Sequence, residues 1–168
     1  MFIRALARDG LGHFKKINMA NFTITEMVRS ATAQKLGIDN TPSGSVRAHL
    51  LETITLLESI RNEWGKYCEV HNLGTPSLIV SSGYRSPALN KAVGGVKNSS
   101  HVLGYATDIV PANGEQDEFE YFMAEVFAKK GYAYDQIIVE RSKTARWVHV
   151  GYKKADGKQR RECFKLKV

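Results

Sequence analysis

Apolar residues recur at steps of three or four from Val46 through Leu50, Ile54, Leu57 and Ile60 to Trp64, and so fall on one helical face. The stripe predicts a long amphipathic core helix, with Gly65 as its end. Upstream, Thr23-x-x-Glu26 has the spacing of a capping box, in which each residue satisfies an amide the first helical turn leaves unpaired. It predicts a helix reaching Leu36 and stopped by Gly37. Between the two lies Asp39-Asn40-Thr41-Pro42-Ser43-Gly44, a run of turn formers that predicts a loop. Beyond Pro76 the pattern changes. Leu78–Ser82 is a short apolar run closed by Gly83 and predicts a strand. Ser86-Pro87 suits the cap and first turn of a short helix to Val93, broken by Gly94-Gly95. Ala106–Val110 predicts a second strand. Glu115–Lys130 predicts a helix with Phe119, Phe122, Met123, Val126 and Phe127 inward, stopped by Gly131. Tyr132–Glu140 and Arg146–Tyr152 predict a hairpin about a turn at 141–145, and the alternation of Phe164, Leu166 and Val168 predicts a last edge strand.

Early helices and late strands predict an α+β fold: helices packed on a small, mainly antiparallel sheet in a single domain. Residues 1–18 read as an irregular N-terminal arm and 19–168 as the folded domain. The length of 168 residues suits one core, and 43% apolar with 24% charged residues is an ordinary globular mix. No apolar run approaches the roughly 20 residues of a membrane span, so no membrane insertion is expected. The opening MFIRALARDGLGHFKK has no sustained apolar stretch, so no signal peptide is expected and the chain is placed in the cytoplasm of the producing cell. Cys68 and Cys163 form no metal-binding spacing and read as ordinary thiols, with a disulfide between them left open. The net charge of +7 suits either a solvated basic surface or attraction to a polyanion. Without a basic motif or an aromatic platform, specific nucleic-acid binding is not expected.

Of the five histidines, His13 and His71 lie in polar stretches and His49 on the long helix, and all three read as surface residues. His101 and His149 differ. His101 precedes Asp108 by seven residues, too far for one helical face, so the chain must turn back between them, and Gly104 supplies the freedom. Asp108 lies in the apolar run Ala106–Val110, and His149 in Trp147-Val148-His149-Val150. A carboxylate in such a strand is costly unless paired or bound to a cation. Two imidazoles and a carboxylate make a three-ligand set for a catalytic zinc ion with one position open. Satisfied polar groups in the core are the other reading of the same residues.

Ser99-x-His101-x-x-Gly104-x-Ala106-x-Asp108, then Trp147-x-His149, with Ser82-Gly83-Tyr84-Arg85-Ser86-Pro87 upstream, resembles the zinc D-Ala-D-Ala carboxypeptidase family, which includes D-Ala-D-Ala dipeptidases and phage L-alanyl-D-glutamate endopeptidases. The likeness runs from about Phe22, through Arg29-Ser30-Ala31-Thr32-Ala33, to about Tyr152. It implies a zinc metallopeptidase cutting peptide bonds next to D-amino acids in peptidoglycan, as a D,D-carboxypeptidase or an endolysin-like endopeptidase. It implies His101, Asp108 and His149 as zinc ligands, Arg85 as the cation facing substrate and oxyanion, and Ser99 as a substrate contact. The partner implied is a peptidoglycan stem peptide, met at the bacterial wall after release, and a monomer is expected. Many members carry the catalytic acid/base three residues before the last histidine. Here that position is Arg146, which cannot accept a proton. The hairpin brings Glu140 into range of His149 as a substitute, with Asp135 second. A non-catalytic, zinc-containing wall-binding module is the alternative that the missing carboxylate keeps open.

Overall fold

The computed structural model describes residues 6–8, 14–16 and 21–168. Inside the predicted irregular arm, Leu6–Arg8 (β1) and Phe14–Lys16 (β2) pair antiparallel. The rest of 1–20, His13 among them, lies outside the described residues.

The capping box forms as its spacing predicts. The Glu26 N–H donates to Thr23 Oγ1 (3.2 Å) and the Thr23 N–H to Glu26 Oε2 (2.9 Å). The predicted single helix nevertheless divides into Ile24–Val28 (α1) and Ala31–Leu36 (α2). Arg29 and Ser30 are extended, and Ser30 Oγ accepts from the Ala33 N–H (3.2 Å) as a fresh cap. A serine that can satisfy a helix start competes with helix continuation. Gly37 closes α2 in the left-handed conformation.

Helix α3 spans Gly44–His71, capped by Ser43, and Gly65 does not end it. Trp64 and Cys68 are buried on either side of Gly65, and their packing outweighs the roughly 1 kcal/mol that an interior glycine costs. Leu50, Leu57, Ile60 and Trp64 are fully buried, each contributing about 1.5–3 kcal/mol.

Leu78–Ser82 (β3), Ala106–Pro111 (β4), Gln136–Arg141 (β5), Arg146–Gly151 (β6) and Glu162–Lys167 (β7) form one sheet in the order β3-β4-β6-β5-β7. Every pairing is antiparallel except β5 with β7. Alternation sends Ile109, Ile137, Val139, Val148 and Val150 to the core face. Pro87–Ala92 (α4) follows β3, capped by Ser86.

The predicted helix at 115–130 is regular only over Gln116–Tyr121 (α5). It widens into a π turn at Phe122–Val126 and tightens to a 3₁₀ turn at Phe127–Lys129. In an α-helix, five residues rotate a side chain about 140° from its start. The wide turn returns Phe127 to the side of Phe122, with their ring centroids 6.1 Å apart and both rings fully buried.

Candidate metal centre

One row crosses the face of the sheet away from the core. Ser82 on β3 stands opposite Asp108 on β4, Asp108 opposite His149 on β6, and His149 opposite Ile138 on β5. Directly opposed residues share a face, so the sheet places Asp108 and His149 side by side although 41 residues separate them. His101 arrives from the loop between α4 and β4.

That loop is tied down on several sides. The His101 N–H donates to Ser99 Oγ (3.3 Å) and the Arg85 N–H to the His101 carbonyl (3.2 Å). Gly104 has φ of 76°, and a Cβ there would stand 2.9 Å from the Val46 carbonyl, so glycine is required for both conformation and space. Thr53 donates to the Gly104 carbonyl (2.9 Å). His49 is half-buried, not a free surface residue. Its Nδ1 donates to the Leu103 carbonyl (2.8 Å) and its ring stacks on Tyr105 at 4.1 Å. Nothing in the helical period distinguishes His49 from a solvated position, because its partner lies 54 residues away.

His101 Nδ1 lies 2.7 Å from the Gly83 carbonyl. A carbonyl only accepts, so Nδ1 carries the proton and Nε2 presents its lone pair to the site. Nε2 is 3.3 Å from His149 Nδ1 and 3.4 Å from Asp108 Oδ1, and His149 Nδ1 is 2.9 Å from the same Oδ1. His101 Nε2 and Asp108 Oδ1 are both acceptors, so what lies between them and His149 Nδ1 must be a proton on that nitrogen or a cation shared by all three. Ligand atoms about 2.0–2.1 Å from a tetrahedral ion stand about 3.3 Å apart, close to the spacing found. The donor set therefore fits a metal ion. Burial pushes the His101 imidazolium pKa down, with Asp108 pulling against it, which favours the neutral ring a metal requires. Burial opposes the Asp108 charge too, yet the carboxyl is held below its usual range, with His149 Nδ1 placed to donate to it at 2.9 Å.

Arg85 follows β3. Its Nε donates to Ser82 Oγ (3.2 Å) and its guanidinium reaches Asp108 Oδ2 at 3.4 Å. Ser99 is buried, and its Oγ accepts from the His101 N–H. Glu140 lies opposite Trp147 and two residues from Ile138, on the face that carries His149. Burial pushes its carboxyl up, partly countered by His149 and reinforced by the negative Asp108.

Two sequence expectations change. Asp135 is an odd number of residues from Glu140, hence on the opposite face, and both its oxygens bind the Arg160 guanidinium (2.8 and 2.6 Å). The buried Asp135 is thus paired with an exposed arginine, apart from the His101, Asp108 and His149 cluster. Arg146 likewise precedes His149 by three and faces away from it. Its guanidinium pairs with the buried Glu120 (2.8 Å) and with Asp117. In this chain position 146 faces the core side of the sheet, so Arg146 itself lies outside the site.

A cleft of about 550 Å³ opens beside the donors, reaching from Asp108 and Arg85 past Ser82 to Arg29, Thr32 and Gln34. Both thiols are free, Cys68 buried and Cys163 exposed. Among the described residues no helix is long and apolar enough to cross a membrane.

A family model described as peptidase M15 matches residues 20–151. The chain is also similar to the zinc D-Ala-D-Ala carboxypeptidase of Streptomyces albus G, with 32% identity over 89 residues. That alignment covers 53% of this chain and 31% of that protein's length.

Proposed function

The chain belongs to the peptidase M15 family, and on that premise we propose that it is a zinc metallopeptidase hydrolysing peptide bonds next to D-amino acids in peptidoglycan. The observation that carries this reading is the convergence of His101 Nε2, Asp108 Oδ1 and His149 Nδ1, all within 4.8 Å of one another, in a largely buried site. These residues would hold the zinc ion, which supplies Lewis acidity, polarising a carbonyl and making a water acidic enough to attack it near neutral pH.

Glu140 is the acid/base. It accepts the proton of the attacking water and returns it to the departing amine. Its raised carboxyl pKa suits that exchange better than an ordinary glutamate, because transfer is most effective between groups of similar acidity. Arg85 holds a fixed positive charge beside the donors, where negative charge develops on the carbonyl oxygen, and its bond to Ser82 keeps the guanidinium aimed. Gly83 orients the His101 ring through its carbonyl. A module that only binds wall would gain nothing from a half-buried carboxylate beside the metal donors. The substrate is a stem peptide of the bacterial wall, reached after release from the producing cell. Carboxypeptidase and endopeptidase action would use the same donors and differ in what flanks the bond.

The test is incubation with defined muropeptides, with products identified by mass spectrometry and zinc counted per chain. Turnover that a chelator abolishes and zinc restores is expected, and the product masses name the bond. His101→Ala, Asp108→Ala and His149→Ala should each fall well below one zinc per chain. Stoichiometric zinc in all three, or hydrolysis indifferent to chelation, would defeat the proposal.

A further inference from the structure

The cleft beside the metal donors is lined by two arginines, Arg85 and Arg29, and by one carboxylate, Asp108. If Asp108 serves the metal, as the peptidase reading holds, the cleft is left with two cations and no anion of its own. Arg29 has no carboxylate partner among the described residues, whereas Arg141, Arg146 and Arg160 each bind one. Its side chain is exposed toward the cleft mouth.

The backbone that presents Arg29 is fixed to the site with unusual thoroughness. Asn40 Nδ2 donates to the carbonyls of Val28 (2.8 Å) and Tyr84 (3.0 Å), while its Oδ1 accepts from the Ser86 N–H (2.7 Å). The Tyr84 N–H donates to the Met27 carbonyl (2.7 Å). Gly83 lies so close that a Cβ would stand 2.1 Å from that same oxygen. One clamp therefore locks the elbow between α1 and α2 onto Gly83–Ser86, the segment that bears Arg85 and orients His101. An exposed arginine held in register with a catalytic segment, and facing a cleft instead of a protein carboxylate, has the setting of a ligand contact.

We infer that Arg29 binds a substrate carboxylate, and that the cleft between Arg29 and Arg85 selects stem peptides with a free carboxylate next to the scissile bond. Two groups share that chemistry: the terminal carboxylate of a peptide ending in D-alanine, and the α-carboxylate of a D-glutamate linked through its side chain. The inference rests on the peptidase reading for the position of the reacting bond.

The experiment has a kinetic arm and a binding arm. Substrate pairs differ only in whether the terminal carboxylate, or the D-glutamate α-carboxylate, is free or amidated. The pair for which the wild type discriminates identifies the source. Arg29→Gln should raise KM for the free-carboxylate peptide about tenfold, the lower end for a lost charge-assisted bond. Its kcat should hold and its discrimination against the amide should disappear. Arg29→Lys should recover part of the effect, since it keeps the charge without the planar fork. In the binding arm, zinc-loaded Glu140→Gln, with and without Arg29→Gln, is titrated calorimetrically with the same peptides. The same loss of affinity is expected, at unchanged zinc content. Equal affinity for free and amidated peptides, or no change on removing Arg29, would overturn the inference. A wild type that binds carboxylate peptides through Arg29 but cleaves none would uphold Arg29 and remove the peptidase reading.

Discussion

A buried ionisable side chain is defined by its neighbours, and Glu140 and Asp135 show how far two carboxylates on one stretch of chain can diverge. Asp135 gives both oxygens to Arg160, which holds its carboxyl below the ordinary value against the effect of burial. Glu140 has no such cation, and burial pushes its carboxyl up. We therefore expect Glu140→Gln to remain folded and zinc-loaded while hydrolysis falls by about 100- to 10,000-fold, the usual worth of a general base. Asp135→Asn should act mainly on stability, because it removes the buried charge that Arg160 binds with both ends of its fork. Steady-state rates on one muropeptide, with melting curves for both variants, separate the two. Full activity in Glu140→Gln would remove it from the mechanism. The motif spacing made His101, Asp108, His149 and Arg85 legible in the sequence. Position 146 drew attention through the family resemblance alone, and which face of the strand it takes is visible only in the structure.

Helix α3 is the element against which the rest is assembled, and its hold on the segment after the 3₁₀ turn carries a pH signature. Glu63 is buried on α3 and binds Lys130, just past the 3₁₀ turn, and Lys66 within its own helix, while Tyr132 also donates to it (3.3 Å). Lys130 and then Lys66 lower its pKa from the ordinary 4.5 to about 2. A carboxyl depressed in the folded state stabilises the fold above the unfolded pKa and loses that stabilisation as pH falls toward the folded one. With both lysines partly exposed, the contribution at neutral pH is roughly 1–3 kcal/mol. Glu63→Gln should therefore lower the urea midpoint of the metal-free protein clearly at pH 7, and the gap to wild type should shrink by about half or more at pH 3. A gap independent of pH would mean that Glu63 acts by packing alone.

Across the whole molecule, the candidate metal centre joins the loop held by α3 and the strand β4 that follows it to β6, whose His149 lies 41 residues beyond Asp108 along the chain. Without a cation, only a proton on His149 Nδ1 stands between the His101 lone pair and the Asp108 carboxylate in a largely buried site. Metal binding should therefore count as folding energy. Zinc at about a thousand times its dissociation constant adds about 4 kcal/mol, and in a chain of this size each kcal/mol moves the midpoint by about 2–4 °C. Chelation should lower Tm by roughly 8–16 °C, reversed by added zinc. A chelator-insensitive Tm would mean that the fold gains nothing from the site.

The local terms were legible along the chain: the capping box at Thr23, the apolar stripe of α3, the strands from Leu78 onward, and the trio His101, Asp108 and His149 with Arg85 as candidates for the site. Each is set by residues close along the chain or by a motif of fixed spacing. Tertiary structure decided the rest. It carried α3 through Gly65, because buried Trp64 and Cys68 outweigh one poor helix former. It divided α1 from α2 at Arg29, which the clamp through Asn40 and Gly83 sets beside the cleft. It assigned Glu140 to the face of His149 and turned Asp135 and Arg146 away, through a register of strands that only long-range pairing fixes. Faces alternate residue by residue along a strand, so a shift of one position exchanges every role, and no local signal records which face meets the metal.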